Sequence, residues 1–249
     1  MVLFYPLKQQ AGSLKLKVVI HWSGGKESYL AYLKAIAQGH EVDYLLSYDY
    51  KKPYVFHSFP VMEAQSKVLE IPQLKVKIKK DNDVLATLTR LKKEDGIEGI
   101  VTGDIVGAGC IEMHRAYYKA VCEQVGMRLI MPIVNSSKDT YDVLKEEISV
   151  GIKSIMNCVN LNYFGEEWLG RVLDDSSIKD LKALADRQGI DVCGEDGRGF
   201  HTMVIDAPLF KKKIEIGRFK KKVIKEKSMS EKSTWLLMDI KEAFLRSKQ

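Results

Sequence analysis

Residues 22–28 read Trp-Ser-Gly-Gly-Lys-Glu-Ser and follow directly on the apolar run Val18-Val19-Ile20. A strand that leaves through Ser23-Gly24-Gly25-Lys26-Glu27-Ser28 into a helix gathers backbone N–H groups and a helix N-terminus around one point, which suits an anion. The glycines let the backbone approach a ligand, and the Ser23 and Ser28 hydroxyls add donors. The spacing is not G-x-x-x-x-G-K-[ST], because position 20 is Ile where that pattern needs Gly, and it is not G-x-G-x-x-G. Elsewhere, Gly103-Asp104 closes another apolar stretch, where Asp104 either faces a ligand or a metal at the same sheet edge or caps the helix that follows. His57 follows a second strand as a pocket residue or a structural one. Glu195 and His201 flank a glycine-rich loop, as acid-base or orienting groups or as turn residues.

These residues need a sheet to hold them. Apolar runs alternate with helix-period segments from residue 15 to about 160, the pattern of a parallel sheet with crossover helices. Strands are expected near 16–22, 42–48, 74–79, 98–103, 128–132 and 153–159. Helices are expected near 26–38, 61–70, 82–95, 111–125, 138–151 and 177–188, with Gly39, Gly96, Gly126, Gly151 and Gly189 as left-handed stops. The fold class is therefore α/β, a Rossmann-like parallel sheet with flanking helices, plus a smaller C-terminal α+β unit. The expected division is 15–132, 133–220 and a basic tail over 221–249. In that tail Trp235, Leu236, Met238, Ile240, Phe244 and Leu245 suggest a terminal helix over 234–247. Residues 1–13 show no clear period.

The chain has 249 residues, 45% hydrophobic and 29% charged, enough for a real core. No apolar run approaches the length of a membrane helix, and the N-terminus lacks the order of a secretory signal, so a cytoplasmic protein is expected. Cys110, Cys122, Cys158 and Cys193 form no C-x-x-C pair and read as reduced thiols. The net charge of +6 is concentrated late: residues 211–249 hold 13 of the 39 Lys+Arg and 5 of the 33 Asp+Glu. The body is thus near neutral, which argues against direct nucleic-acid binding. The two Lys-Lys-Lys runs at 211–213 and 220–222 read as a patch for phosphates or an acidic partner, or as a solvated strand face.

The Ser23–Ser28 corner resembles the PP-loop, S-G-G-x-D-S, of ATP pyrophosphatases, with Glu27 where that superfamily usually has Asp. Three further segments resemble its diphthine-ammonia ligase family: Val55-Phe56-His57-Ser58, Gly103-Asp104-Ile105, and Trp168-Leu169-Gly170-Arg171 with Cys193-Gly194-Glu195 and Asp206-Ala207-Pro208-Leu209-Phe210. The resemblance covers roughly residues 16–216 and implies a PP-loop, adenine nucleotide alpha hydrolase-like fold that uses ATP and Mg²⁺. It implies that Ser23, Gly24, Gly25, Lys26, Glu27 and Ser28 hold the leaving pyrophosphate, with Ser47, His57 and Gly103 also on the nucleotide side. Asp104 would position metal or nucleotide, and Asp104, Glu195 and His201 are the expected catalytic groups. His114, Arg115, Arg171 and Asp206 are expected on the substrate side, although Arg171 reads equally well as an ion-pair residue.

The sequence departs from the family on that substrate side. The family's Y-Q-R-x-R-x-E becomes Met113-His114-Arg115-Ala116-Tyr117-Tyr118-Lys119, and G-E-x-G-E-[FY]-x-T becomes Gly194-Glu195-Asp196-Gly197-Arg198-Gly199-Phe200-His201-Thr202. The resemblance implies an AMP-forming ligase that converts the diphthine carboxylate of translation elongation factor 2 to an amide with ammonia, through an acyl-adenylate. A protein substrate follows, whose docking could use the basic tail. A paralogue acting on another carboxylate or carbonyl and an ATP-binding module without turnover are the alternatives. A tRNA-thiolating enzyme is disfavoured by the unpaired cysteine spacing.

Overall fold

Val18, Val19 and Ile20 are all fully buried, yet they serve two different cores: Val18 and Ile20 point to one side of a sheet and Val19 to the other. That alternation, on a strand apolar at every position, is how a central strand covered on both faces is built. The computed structural model describes residues 14–50, 56–80, 82–105, 110–134, 139–193, 198–227 and 232–248, with the side chains at 110, 111 and 227 outside the description.

The first half runs β1 (Lys17–His21), α1 (Lys26–Ala37), β2 (Glu41–Tyr50), α2 (Phe59–Leu69), β3 (Gln73–Ile78), α3 (Asp83–Asp95), β4 (Gly99–Val101), α4 (Cys110–Val125) and β5 (Arg128–Ile130). The five strands form one parallel sheet in the order β3-β2-β1-β4-β5. The strand order reverses between β1 and β4, and ligands of open α/β sheets bind at the carboxyl end of such a switch point. Residues of α1 and α2 pack into the core with Val18 and Ile20, and residues of α3 and α4 into the core with Val19, so helices cover both faces. The five glycines expected to stop helices all have positive φ, from 64° to 88°.

The second half runs α5 (Thr140–Ser149), β6 (Lys153–Asn160), a 3₁₀ turn (Glu166–Trp168), β7 (Val172–Leu173), α6 (Ser177–Gln188), β8 (Phe200–Asp206), β9 (Lys213–Ile216), β10 (Phe219–Lys227), β11 (Lys232–Ile240) and β12 (Ala243–Arg246). The Asp139 carboxylate starts α5 by accepting the Asp142 N–H at 2.7 Å. β6 is the hub of an antiparallel sheet, pairing with β7, β8 and β11, and β10 pairs with β11. The core holding Val18 and Ile20 also takes in Met156, Val159, Phe200, Met203, Val204 and Leu236, so both halves share it.

The helix expected over 234–247 is instead β11 and β12. Trp235, Leu236, Leu237 and Met238 are consecutive and all buried, which a helix with one apolar face cannot achieve but a strand covered on both faces can. Of the stretch 221–249, expected as a tail, β11 and most of β10 belong to the antiparallel sheet and β12 pairs with β9 in a separate two-stranded one, and Lys220, Lys221 and Lys222 lie on the exposed length of β10. Lys221 pairs with Glu166 and Lys222 with Asp239. No helix among the described residues is long and apolar enough to cross a membrane.

Candidate active site

The chain leaves β1 through Trp22, whose N–H donates to the Leu46 carbonyl at 2.7 Å, and turns at Gly24 with φ +77°. A Cβ on Gly24 would lie 2.8 Å from each of Gln65 Oε1, Met203 Cε and Met62 Cγ, so the turn needs glycine for its backbone angle and for its surroundings. Gln65 is fully buried and ties the corner together: its Oε1 accepts from the Trp22 indole at 2.9 Å, and its Nε2 donates to the carbonyls of Gly24 at 2.9 Å and Val204 at 2.8 Å. The Gly24 carbonyl also accepts the Val204 N–H at 2.9 Å. β8 is thereby fastened to the glycine corner.

Beyond Gly24 the chain enters α1. The Ser28 hydroxyl donates to the Gly25 carbonyl at 2.9 Å and lies 3.2 Å from the Ser23 hydroxyl, and the Lys26 N–H donates to Thr202 Oγ1 at 3.2 Å. Gly103 is pressed against the first turn of α1, where a Cβ would come within 2.9 Å of Glu27 C and Ser28 N. Lys26 is 1% exposed; its ammonium pairs with Glu27 and, at 3.7 Å, with the equally buried Glu147. The corner therefore sets an ammonium held by carboxylates among N–H groups and hydroxyls that bond within the fold, the Gly25 N–H donating to Ser23 Oγ at 3.3 Å.

A cavity opens over this corner, lined by Ser23, Gly25, Lys26 and Glu27 on one side and by His57, Phe200, His201 and Thr202 on the other. His201 stacks on Phe56 with ring centroids 4.2 Å apart and lies 5.5 Å from Trp235. Burial pushes the His201 pKa down to about 3, with the charges of His57 and Lys26 acting in the same direction. Burial likewise lowers His57 to about 4. Both rings are neutral at neutral pH and can donate or accept hydrogen bonds without adding charge.

At the end of β4 a second cluster forms. His114 Nδ1 lies 2.8 Å from Asp104 Oδ1, and the Thr102 hydroxyl donates to Asp104 Oδ2 at 2.5 Å. Burial alone would raise the Asp104 carboxyl, but the hydrogen bond and charge of His114 and the bond from Thr102 outweigh it and hold the group below its usual value. His21 stacks on His114 at 5.5 Å, and burial, reinforced by His114 and His57, drops its pKa to about 3.

Of the residues singled out from sequence, Ser23, Gly25, Lys26, Glu27, His57 and His201 line the cavity, Gly24 and Ser28 belong to the same corner without lining it, and Gly103, Asp104 and His114 gather at the adjoining strand end. Ser47 is fully buried and donates to the Trp22 carbonyl at 3.0 Å, so it holds the corner from beneath. Arg115 is half-buried on α4. Arg171 pairs with Asp180 and lies 4.3 Å from the Trp168 ring, and Asp206 pairs with Lys248 at 2.7 Å; neither lines the cavity. Glu195 lies outside the described residues.

Sequence reasoning missed Gln65, Glu147 and Thr202. Gln65 and Glu147 carried a usable signal, each being a polar residue on an otherwise apolar helix face, beside Val61, Met62, Ala64 and Val68 or beside Val143 and Leu144. Thr202 closes the segment aligned with the family's G-E-x-G-E-[FY]-x-T, but only the tertiary fold brings it to Lys26.

Residues 16–129 match the family model described as diphthamide synthase N-terminal domain, and residues 139–243 match diphthamide synthase C-terminal domain. The curated diphthine--ammonia ligase of Homo sapiens is 27% identical over 229 residues, covering 80% of this chain and 82% of that protein. The one from Danio rerio is 27% identical over 228 residues, covering 81% and 86%. The solved structure of a predicted subunit of tRNA methyltransferase from Methanocaldococcus jannaschii aligns with a TM-score of 0.38 and 11% identity, over 77% of this chain and 97% of that one. With both family domains matched in order along the chain, and the residues of each meeting at one corner, the chain belongs to the diphthamide synthase family.

Proposed function

We propose that this chain is an ATP-dependent, AMP-forming amide ligase that converts the carboxylate of diphthine on translation elongation factor 2 to the amide with ammonia. The observation that carries the reading is the Ser23–Ser28 corner at the β1/β4 switch point, closed by a strand of the other family domain through Thr202 and Val204. The fit to a nucleotide rests on the cavity over the corner, which Ser23, Gly25 and Lys26 line at the start of α1, while Gly24 is glycine because Gln65, Met62 and Met203 pack against it from beneath.

In this reading the acceptor carboxylate attacks the α-phosphorus of ATP, pyrophosphate leaves from the corner, and an acyl-adenylate forms. Ammonia then displaces AMP, giving the amide and one proton. Mg²⁺ supplies neutralisation of the phosphate charge when bound, and Asp104, ionised at neutral pH, is the carboxylate that would hold it. The chain's own work is positioning and electrostatics. Ser23, Ser28 and the α1 N-terminus orient the leaving group, Gly103 keeps β4 tight against α1, and neutral His57 and His201 wall the reacting atoms from water. The cytoplasm, where elongation factor is found, is the setting this implies.

Incubation with ATP, Mg²⁺, ammonium and diphthine-bearing elongation factor, read by mass spectrometry of the modified peptide, tests the assignment. Conversion of the carboxylate to the amide is the expected result. An unmodified peptide despite ATP consumption would assign the chain to another carboxylate acceptor.

A further inference from the structure

A second cavity adjoins the first, where the start of α2 meets the end of β11. Its walls are Ser58, Phe59, Pro60, Met238, Ile240 and Lys241, and His57 belongs to the walls of both cavities. α2 has 11 residues, and Ser58 is its N-cap, in an extended conformation with no capping bond from its side chain. Ser58 is only 7% exposed, and its hydroxyl has no hydrogen-bond partner among the described residues. Buried polar groups normally find partners. A buried hydroxyl that lines a cavity at the positive end of a helix is a donor placed for an anion.

The charges around the cavity agree. Asp239, which also lines it, is held at 2.8 Å by Lys241 and at 2.8 Å by Lys222, so two ammonium groups face one carboxylate. The Phe59 N–H, as the first of the helix, has no intrahelical acceptor. Phe59, Met238 and Ile240 make the remaining wall apolar, suited to the carbon chain that carries an anionic head.

We propose that this cavity is the binding site of the acceptor carboxylate, which takes a hydrogen bond from Ser58 and charge balance from Lys241 beside the phosphate corner. The proposal rests on the ligase reading, in which a carboxylate must stand next to the α-phosphorus. Because His57 forms part of both cavities, a carboxylate here reaches the nucleotide past a single side chain.

Steady-state kinetics of Ser58→Ala and Lys241→Gln, varying acceptor and ATP separately, test it. Each variant is expected to raise the acceptor KM about tenfold, the loss of one hydrogen bond or ion pair to a charged group, with the ATP KM unchanged. Because the Ser58 hydroxyl makes no bond among the described residues, S58A should melt with the wild type. An unchanged acceptor KM, or a rise in the ATP KM instead, would overturn the proposal, the second by giving the cavity to the nucleotide. If the wild type binds ATP but forms no amide, the ligase reading fails alone, and the cavity is then tested with glutarate, by calorimetry on the ATP-bound protein. Glutarate binding that S58A abolishes would keep the carboxylate site; absence of binding would remove it.

Discussion

The corner at Ser23–Ser28 is made from one unbroken stretch of chain, whereas the wall facing it is made from His57, Phe200, His201 and Thr202, with Phe56 and Trp235 packed on His201, drawn from both halves of the molecule. The corner is held by backbone geometry, by the buried Gln65 and by the pairing of Lys26 with Glu147. The wall is held by ring packing and carries uncharged imidazoles. The difference teaches that the corner is a compensated cradle fixed by its immediate surroundings, with Glu27 its one departure from S-G-G-x-D-S, while the wall is a packed ring surface assembled from distant parts of the chain.

The largest effect expected from breaking this contrast is at Lys26. Lys26→Met leaves the buried Glu147 carboxylate without its lysine, which should cost about 3–5 kcal/mol in denaturant unfolding and abolish ATP turnover. The double variant Lys26→Met/Glu147→Gln should recover much of the stability without recovering turnover. Recovery of both would make Lys26 purely structural. Next is Gly24→Ala, which forces a side chain into a left-handed turn already filled by Gln65, Met62 and Met203. A loss of about 3 kcal/mol is expected, and unchanged unfolding would mean that the corner is looser than described.

The wall is sharpened by pH. His21, His57 and His201 bind their protons more weakly in the folded chain than the ordinary value of 6.5. Below that value the unfolded chain takes up protons that the native chain refuses, so stability is lost as pH falls from 6.5 towards about 4. Each such histidine contributes a slope of about 1.4 kcal/mol per pH unit. His201→Phe, which keeps the stack with Phe56, should flatten the stability-versus-pH curve by one histidine's share. The smallest effect is expected at Thr202→Val, which removes the acceptor of the Lys26 N–H and should cost about 1 kcal/mol, with a rise in the ATP KM as β8 loosens from the corner.

The same contrast explains what could be read in advance. The parallel sheet, its helices and the glycine stops were legible because each is written locally, in alternating apolar runs and single residues with special backbone angles, although the strand read near 153–159 as part of that alternation is β6, the hub of the antiparallel sheet. The corner was legible for the same reason. β10 was read at Lys220–Lys222 as a solvated strand face, but β11 and β12 were not legible, because Trp235–Met238 is apolar at every position and local periodicity cannot tell a doubly covered strand from a helix; only pairing with β6 and β10 decides it. Arg171 and Asp206 were placed by resemblance on the substrate side, and the structure engages them with Asp180 and Lys248, away from the cavity lining. Thr202 stood at the end of a motif matched to the family, but its hydrogen bond to Lys26 across most of the chain is recorded in no local pattern.

The central claim is that the Ser23–Ser28 corner holds the two terminal phosphates as a leaving group. Phosphorus NMR of the nucleotide products, with protein, ATP, Mg²⁺, ammonium and acceptor present, tests it most directly. AMP and pyrophosphate in equal amounts are the expected products, and both should vanish in Lys26→Met/Glu147→Gln; ADP and inorganic phosphate would contradict the account.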